Sequence, residues 1–531
     1  MTRRAVLTLT GLLIFVIGLL PVLSMLVQSL HSDGHWSLGA YRGLLASARQ
    51  WTLMEHSLVL AALVTALTLL LGVPLGLLLG KTDLPGRRLL TGLFVVPLLL
   101  PPYVLAVSWA DLLGPEGLLA RIAGPDAVQA PTHWLFGLPG CVLVLGSVFL
   151  PIPMLLTMVF LRTVDPRLEE AARLMAPWPQ VLRGITLPLI LPGIALAAVL
   201  VFLLSLGEFS VPTFLRYDVF PVESFVQFSA FYDFQAATAA AVPLAGITLI
   251  LLLLEGAFLR ERTGQLRLTG PGRGWPRIAL GARRTGWVAV AGFLASVLVL
   301  VPMGALAVQS ADAGAYEEAL HRAGDSLVRS LVYASIGATT LTVLGFLAGY
   351  LVHTRALPFW RSVDSVTLFL FALPSTVIGI GLISLWNTPW TNLVYATPAI
   401  IVLGYLAKYT VLTSRISATQ LGLIPPSMEE AAQVAGAGWT RRMAWIVAPL
   451  AGRGLAAAWL VGYLFSLRDT GITMLVYPPG HETLPVRIFT LMANGSPQLI
   501  AALCLIMVAA SVVPLGLLAL VPRLGRRLQR I

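Results

Sequence analysis

The stretch EEAARLMAP, residues 169–177, places two adjacent carboxylates on a short segment between long apolar runs. The letters EEAA return at residues 429–432, 260 positions later. A single short amphipathic helix of this kind is ordinarily a solvated loop. Its return 260 residues later instead indicates two copies of one structural unit. The surrounding sequence defines that unit.

The composition predicts that most of the chain lies in a membrane. Of its 531 residues, 57% are hydrophobic and 11% are charged, whereas a soluble domain carries about 25% charged residues. Apolar runs of about 20 residues, the length that crosses a hydrocarbon core, recur along the whole sequence. We therefore predict an all-α polytopic membrane protein with about 12 transmembrane helices.

The predicted spans are separated by polar loops, and each is long enough to cross a hydrocarbon core of about 30 Å. Their approximate bounds are 5–29, 56–80, 89–113, 140–162, 186–207, 237–260, 286–309, 327–352, 364–386, 395–415, 447–468 and 499–521. The first of them follows two arginines and resembles a signal peptide, but it is long and lacks a cleavage site. We expect it to remain as a membrane helix.

The basic residues are distributed unevenly between the two sides of the predicted membrane. An even number of spans places both termini on one side, and that side then holds most of the 35 Lys and Arg residues. Cytoplasmic loops carry such an excess. Topology therefore explains the net charge of +11 without a nucleic-acid surface. We expect a multi-pass bacterial inner-membrane protein with both termini cytoplasmic.

The repeat extends beyond the EEAA stretch. Pro188 corresponds to Pro449, and SLGE at 205–208 corresponds to SLRD at 466–469. Both halves of the chain begin on the same side of the membrane, so we predict two parallel six-helix repeats.

These repeats define the predicted domains. The first half covers residues 1–260, and the second covers residues 286–531. The stretch 261–285 between them is rich in Gly, Pro and Arg and predicts a cytoplasmic linker. We call residues 163–185 the EAA1 loop and residues 416–446 the EAA2 loop.

Each of these loops predicts a short amphipathic helix. In the EAA1 loop, Asp165 suits the N-cap and Pro166 the first helical position. Glu169 and Arg173 have the spacing of a favourable i,i+4 ion pair. One apolar stripe remains, with the glutamates facing away from it; it comprises Leu168, Ala171, Ala172 and Met175.

The EAA2 loop repeats this design. Pro426 begins the helix, and Ser427 and Glu430 have the spacing of a capping box. Gly436 and Gly438 are expected to end it. The apolar stripe comprises Met428, Ala431, Ala432 and Ala435. Two such helices on the basic side predict a paired docking surface for a two-fold partner.

The second copy resembles the motif of permeases in binding-protein-dependent ABC importers: Glu-Ala-Ala, then Gly, Ile and a proline at fixed intervals. It has Glu430-Ala431-Ala432, Gly436, Ile446 and Ala448-Pro449. The first copy has Glu170-Ala171-Ala172, Ile185 and Leu187-Pro188, is one residue shorter, and has Met175-Ala176 where Gly is expected.

The resemblance implies the type I ABC importer permease fold and its partners. A periplasmic binding protein would deliver substrate, and an ABC ATPase dimer would dock on the two loops and hydrolyse ATP, so the chain itself is not expected to be an enzyme. The docking residues implied are Glu169, Glu170, Ala171, Ala172, Glu429, Glu430, Ala431, Ala432 and Gly436. Fused two-half chains of this length resemble the ferric-iron type, and fused thiamine permeases share the layout.

Polar residues in the apolar runs are the candidates for a transport pathway, because a charge at the bilayer centre costs about 2.5–3.5 kcal/mol on insertion scales. Alternatively, some could lie at the outer helix ends, and Lys408 could be a structural ion-pair partner. Pro374 in the ninth span and Pro97, Pro101 and Pro102 in the third predict matching breaks. The pathway candidates are Glu208, Ser375, Thr376, Lys408, Arg468 and Asp469.

Other functions find little support in the sequence. Gly80-Lys81-Thr82 resembles the end of a phosphate-binding loop but follows a membrane helix and lacks the first glycine. The scattered histidines and the two cysteines predict neither a metal site nor a cofactor. The remaining alternatives are import of thiamine or another small solute by the same architecture, and a secondary transporter with parallel repeats.

Overall fold

The computed structural model describes residues 2–32, 35–231, 233–258 and 277–528. In these ranges, nine helices are long and apolar enough to cross a membrane, and three bent helix pairs raise the number to as many as 12. Every predicted span falls on one of these helices or pairs. They are Arg3–Ser29, Ala48–Lys81, Arg87–Leu99 with Pro102–Ala123, Leu138–Thr163, Trp178–Leu206, Phe234–Ala257, Gly281–Gln309, Ala313–Thr354, Trp360–Ala372 with Ser375–Trp386, Ala399–Leu421, Trp439–Leu450 with Gly452–Leu467, and Pro497–Leu517.

The third and ninth spans are broken where the sequence predicts it. Their helices meet at angles of 103° and 111°, with Pro101 and Pro374 immediately before the second helix of each pair. The residue before each proline is extended, as steric contact with the proline ring requires. A membrane helix is therefore interrupted at the same place in both repeats.

Shorter helices and one hairpin connect the spans. Two-residue strands, His31–Ser32 and His35–Trp36, pair in antiparallel fashion. The short helices that concern the candidate sites are Pro166–Arg173, Trp178–Val181, Ser210–Phe214, Pro426–Val434, Trp439–Arg442 and Thr473–Val476.

Two compact units make up the fold, and each holds one EAA loop. The EAA1 unit comprises Ala48–Val222 and Gly246–Ala315. The EAA2 unit comprises Met1–Ser47, Glu223–Ala245 and Tyr316–Ile531. The first span of each sequence half is thus assigned to the unit that holds the other half's loop. The division into halves describes the sequence repeat, whereas packing follows a different division.

In both units, glycines bring the second helix of the repeat against the fourth. A Cβ at Gly76 would lie 2.7 Å from the carbonyl oxygen of Met154, and a Cβ at Gly349 would lie 2.6 Å from that of Ser414. Only a residue without a side chain permits this approach, which is how small residues bring membrane helices together. The shared contact provides structural evidence for the sequence repeat.

Four π-helical turns stand at matched positions in the two repeats. Each ends two residues before a proline, at Pro21, Pro188, Pro302 or Pro449. A proline inside a helix lacks an N–H and its ring crowds the carbonyl four residues earlier, which lies inside the wider turn in every case. The turns are Phe15–Leu19, Leu182–Thr186, Ser296–Leu300 and Met443–Val447.

The predicted linker, 261–285, is only partly covered, because residues 261–276 lie outside the described ranges. Its last part pairs with the end of the second span. The Ile278 N–H donates to the Lys81 carbonyl at 2.9 Å, and the Asp83 N–H donates to the Ile278 carbonyl at 3.2 Å. The seventh span already begins at Gly281, so residues 281–285 of the predicted linker belong to that span, and Ile278 before it bonds to the EAA1 unit.

Candidate ATPase-docking loops and intramembrane polar cluster

The EAA1 helix runs from Pro166 to Arg173, as the sequence predicts. Its N-cap is Asp165, whose carboxylate accepts a hydrogen bond of 3.0 Å from the Arg167 N–H. This bond satisfies one of the backbone donors that a helix start leaves without a partner. The helix start is therefore determined by local sequence.

Glu169 lies inside the EAA1 unit rather than on its surface. Its side chain is fully buried and contacts the Lys81 ammonium in a buried ion pair. Its second carboxylate oxygen accepts a 2.7 Å hydrogen bond from the Thr186 hydroxyl. Since Lys81 ends the second span and Thr186 ends the π-turn within the fifth, Glu169 anchors the helix to both.

The predicted pairing of Glu169 with Arg173 is wrong. Arg173 donates to the Ala176 carbonyl at 2.8 Å, and its guanidinium carbon lies 5.1 Å from the centre of the Trp178 ring. The i,i+4 spacing made the pair possible, but the buried Lys81 ammonium is the stronger partner because it lies away from water. Glu169 is thus an internal anchor, whereas its neighbour Glu170 is exposed.

The EAA2 helix, Pro426–Val434, begins and ends differently from the EAA1 helix. The expected capping box is absent, because Pro425 occupies the N-cap and no side chain bonds there. Its end follows the prediction: Gly436 has a φ of +81°, and the Ala437 N–H donates to the Ala432 carbonyl at 3.0 Å. This is a Schellman ending, which favours glycine at the left-handed position.

The EAA1 helix ends without such a glycine. The Ala176 N–H bonds to the Ala172 carbonyl at 2.9 Å, and no residue from 174 to 177 has a positive φ. Pro177 then stops the helix. The missing glycine and the deleted residue of the first copy are therefore two parts of one change in loop geometry.

Glu429 occupies the anchoring position in the EAA2 loop, but its partners are different. The Tyr350 hydroxyl donates to its carboxylate at 3.0 Å, and Nε of Arg442 lies 3.8 Å away. Trp439 donates to the same tyrosine oxygen at 3.4 Å. This carboxylate remains partly exposed, at 29%.

Each EAA loop has an exposed apolar face, formed by side chains on its helix and just after it. Its large apolar side chains are Leu168 (51% exposed), Leu174 (88%), Met175 (91%), Met428 (47%) and Val434 (90%). Ala171 and Ala431 are exposed, and Ala172 and Ala432 are half-buried. Glu170 and Glu430 are exposed as well.

The two acidic pathway candidates cap short helices. Glu208 accepts hydrogen bonds from the Ser210 hydroxyl and, at 2.9 Å, from the Ser210 N–H. Asp469 is buried and accepts from the Thr473 N–H at 3.0 Å and from the Tyr409 hydroxyl at 2.7 Å. Capping accounts for both carboxylates at their matched positions.

The remaining pathway candidates lie in the EAA2 unit, near the break of the ninth span. Nζ of Lys408 donates to the Ser375 hydroxyl at 2.5 Å. Thr376 is fully buried, and its hydroxyl has no hydrogen-bond partner among the described residues. The Arg468 guanidinium lies 4.6 Å from the Phe465 ring centre. The structure thus brings Ser375, Thr376 and Lys408 together.

Sequence reasoning missed the partners that hold the loops in place. They are Lys81 and Tyr350, which are 88 and 79 residues from the carboxylates they contact, and the nearer Thr186 and Arg442. A usable signal existed in Trp178 and Trp439, which are 261 residues apart and lie beside Lys81 and Tyr350, respectively. Among the described residues, no group of three or more His, Cys, Asp or Glu side chains could hold a metal ion.

Comparison with known proteins identifies the family to which this chain belongs. Residues 72–261 match the model for a binding-protein-dependent transport system inner membrane component. The chain is 22% identical to each of two proteins named as ferric transport system permeases, FbpB of Actinobacillus pleuropneumoniae and FbpB 1 of Haemophilus influenzae. The alignments cover 88% and 90% of this chain and 70% and 78% of those proteins.

A second kind of relative is shorter and more similar. The molybdenum transport system permease protein ModB of Escherichia coli is 32% identical over 163 residues, which are 30% of this chain and 69% of ModB. The two ferric transport permeases align with nearly the whole of this chain, and the alignment with ModB covers most of ModB. The chain therefore belongs to the inner membrane components of binding-protein-dependent transport systems, as a fused two-half ABC permease that resembles the ferric type.

Proposed function

We propose that this permease imports ferric iron, received from a periplasmic binding protein, and that an ATPase dimer drives it through the EAA1 and EAA2 loops. The observation that carries the coupling is the exposed apolar face on each loop. Met175 and Val434 are 91% and 90% exposed, although the loops that bear them are held to their units by the buried Glu169–Lys81 pair and by the partly buried Glu429–Tyr350 hydrogen bond. Exposed apolar residues on a fixed support are characteristic of protein interfaces.

The different surroundings of the two adjacent glutamates in each loop support the same proposal. The first of each pair, Glu169 or Glu429, bonds to its own unit, and the second, Glu170 or Glu430, faces solvent. A movement of the bound ATPase would then be transmitted through the anchor to the membrane helices. Hydrolysis would belong to that separate subunit, and the excess of basic residues in the loops on one side supports a cytoplasmic position for it and for both termini.

The iron assignment rests on the two ferric transport permeases that align with nearly all of this chain. Its test is reconstitution of the permease with its cognate ATPase and binding protein in vesicles. We expect ATP-dependent uptake of ferric iron. If thiamine or molybdate enters with that binding protein and iron does not, the cargo assignment is wrong. If uptake needs no ATPase, the secondary-transporter alternative replaces the proposal.

A further inference from the structure

The break in the ninth span creates a buried helix start inside the EAA2 unit. The helix Ser375–Trp386 begins there, and its N-cap, Pro374, provides no side-chain hydrogen bond. The N–H groups of Val377 and Ile378 donate to the Pro374 carbonyl at 3.1 and 3.4 Å, so the N–H groups left without an intrahelical acceptor are those of Ser375 and Thr376. The aligned peptide dipoles also give this end a partial positive charge. A helix N-terminus alone does not identify a binding site.

Three side chains at this helix start add hydrogen-bond donors. Lys408 is 8% exposed, and its ammonium reaches the Ser375 hydroxyl at 2.5 Å. Because this hydroxyl accepts from lysine, its own proton is available to another acceptor. Thr376 is 0% exposed and its hydroxyl has no partner among the described residues. Side chains lean toward the start of their helix, so this hydroxyl lies on the side of the free N–H groups.

The nearby carboxylate of Asp469 has donors of its own. It accepts a hydrogen bond from the hydroxyl of Tyr409, the residue after Lys408. Its other oxygen accepts from the backbone N–H groups of Ile472 and Thr473 and from the Thr473 hydroxyl, at 3.0–3.2 Å. Donors therefore surround this carboxylate. A second cation, Arg468, is adjacent to it in the chain.

The corresponding positions of the first repeat carry fewer donors. Val148 corresponds to Lys408, and Pro102 and Tyr103 correspond to Ser375 and Thr376. Proline offers neither a hydroxyl nor an N–H, and valine offers no ammonium, although Tyr103 keeps a hydroxyl. The ammonium and the serine hydroxyl are thus specific to the second repeat, since the break itself forms in both.

We propose that the N-terminus of the helix Ser375–Trp386, with Thr376 and Lys408, binds a small oxyanion. Unpaired N–H groups, hydroxyl protons and an ammonium are the groups that recognise phosphate-like and molybdate-like ions. A bare ferric cation is repelled by the lysine. This inference rests on the proposed transport role and narrows it: the cargo is handled as an oxyanion or together with one.

Equilibrium dialysis of the full-length permease, without ATPase or binding protein, tests the site directly. Radiolabelled phosphate and molybdate are the probes. We expect saturable binding of at least one, weakened about tenfold by Thr376→Val, which removes one hydrogen bond to a charged group. Lys408→Met should remove binding. The control is Thr367→Val, on the helix before the break, where the hydroxyl bonds to the Asp364 carbonyl at 3.1 Å.

The proposal is overturned if neither ion binds, or if Thr376→Val and Thr367→Val bind alike. Should Lys408→Met fail to fold, the two threonine variants still decide the question. Uptake assays then separate the sources of the anion. Entry of phosphate or molybdate alone identifies it as cargo, and iron entry that requires added phosphate identifies it as a co-ion.

The same assays keep this inference distinct from the proposed function. Oxyanion binding without any iron uptake would support the site and contradict the iron assignment. Iron uptake that is unchanged in Thr376→Val, with no anion bound, would contradict the site and leave the iron assignment standing.

Discussion

The EAA1 and EAA2 loops present similar outer faces on different internal supports. Glu169 is fully buried with the Lys81 ammonium, whereas Glu429 is partly exposed and accepts from the neutral Tyr350 hydroxyl. Both helices nevertheless present an exposed glutamate beside exposed apolar side chains. Under the proposed docking role, the requirement lies in the outer face of the two loops, and the anchor can be built from different chemistry.

The largest expected effect is loss of the Lys81 ammonium. Lys81→Met leaves the Glu169 carboxylate buried without this partner, and breaking a buried ion pair in this way costs about 3–5 kcal/mol. We expect the EAA1 loop to become sensitive to protease and transport to fall severely.

The double variant Lys81→Met with Glu169→Gln removes both charges and should recover much of the resistance, because no buried charge remains. Limited proteolysis of the loop, with the intact EAA2 loop as the internal reference, measures the effect. If Lys81→Met alone behaves as wild type, the buried anchor is not what fixes this loop.

A moderate effect is expected at the end of the EAA2 helix. Gly436→Ala places a Cβ at a φ of +81°, which costs about 1–2 kcal/mol. Gly438→Ala, where φ is −64°, is the matched control. We expect reduced ATPase association for the first variant alone, measured by co-purification. Equal association of both variants would show that the Schellman ending is dispensable.

A smaller effect is expected at the EAA2 anchor. Tyr350→Phe removes the hydroxyl that donates to Glu429, and a hydrogen bond of this kind contributes about 0.5–1.5 kcal/mol. Arg442 stays near the carboxylate, so the loop should keep its protease resistance and most of its transport. A loss as large as that of Lys81→Met would contradict the difference drawn between the two anchors.

The smallest effect is expected from cutting the linker. Residues 277–280 pair with the end of the second span, and a break near Gly272 leaves that pairing intact. Two separately expressed chains should therefore associate and transport. Pull-down of one chain by a tag on the other measures this, and two inserted chains that do not associate would give the linker a structural role.

Prolines and motif spacing allowed much of this fold to be predicted. Pro101 and Pro374 predicted the breaks, since a missing N–H and a crowded carbonyl act locally. The Schellman glycine, Gly436, also acts within one turn. Both features depend on near neighbours in the sequence, which is why the structure agrees with them.

Contacts between distant segments could not be predicted in this way. The spacing of Leu168, Ala171, Ala172 and Met175 predicts an apolar stripe, but periodicity does not say whether such a stripe faces its own unit or a partner. Burial of Glu169 depends on Lys81, which is 88 residues away. A sequence repeat shows which segments are similar and not which segments are in contact. It therefore could not predict that the first span is assigned to the EAA2 unit.

The central claim is that the exposed glutamates couple the two loops to the ATPase, and charge reversal tests it most directly. We expect Glu170→Lys with Glu430→Lys to insert normally, yet to lose ATPase co-purification and transport. Of the two single variants, Glu430→Lys should lose more. The control, Glu116→Lys with Glu317→Lys, changes the charge equally at exposed positions elsewhere. Normal ATPase binding and uptake by the first double variant would contradict the account.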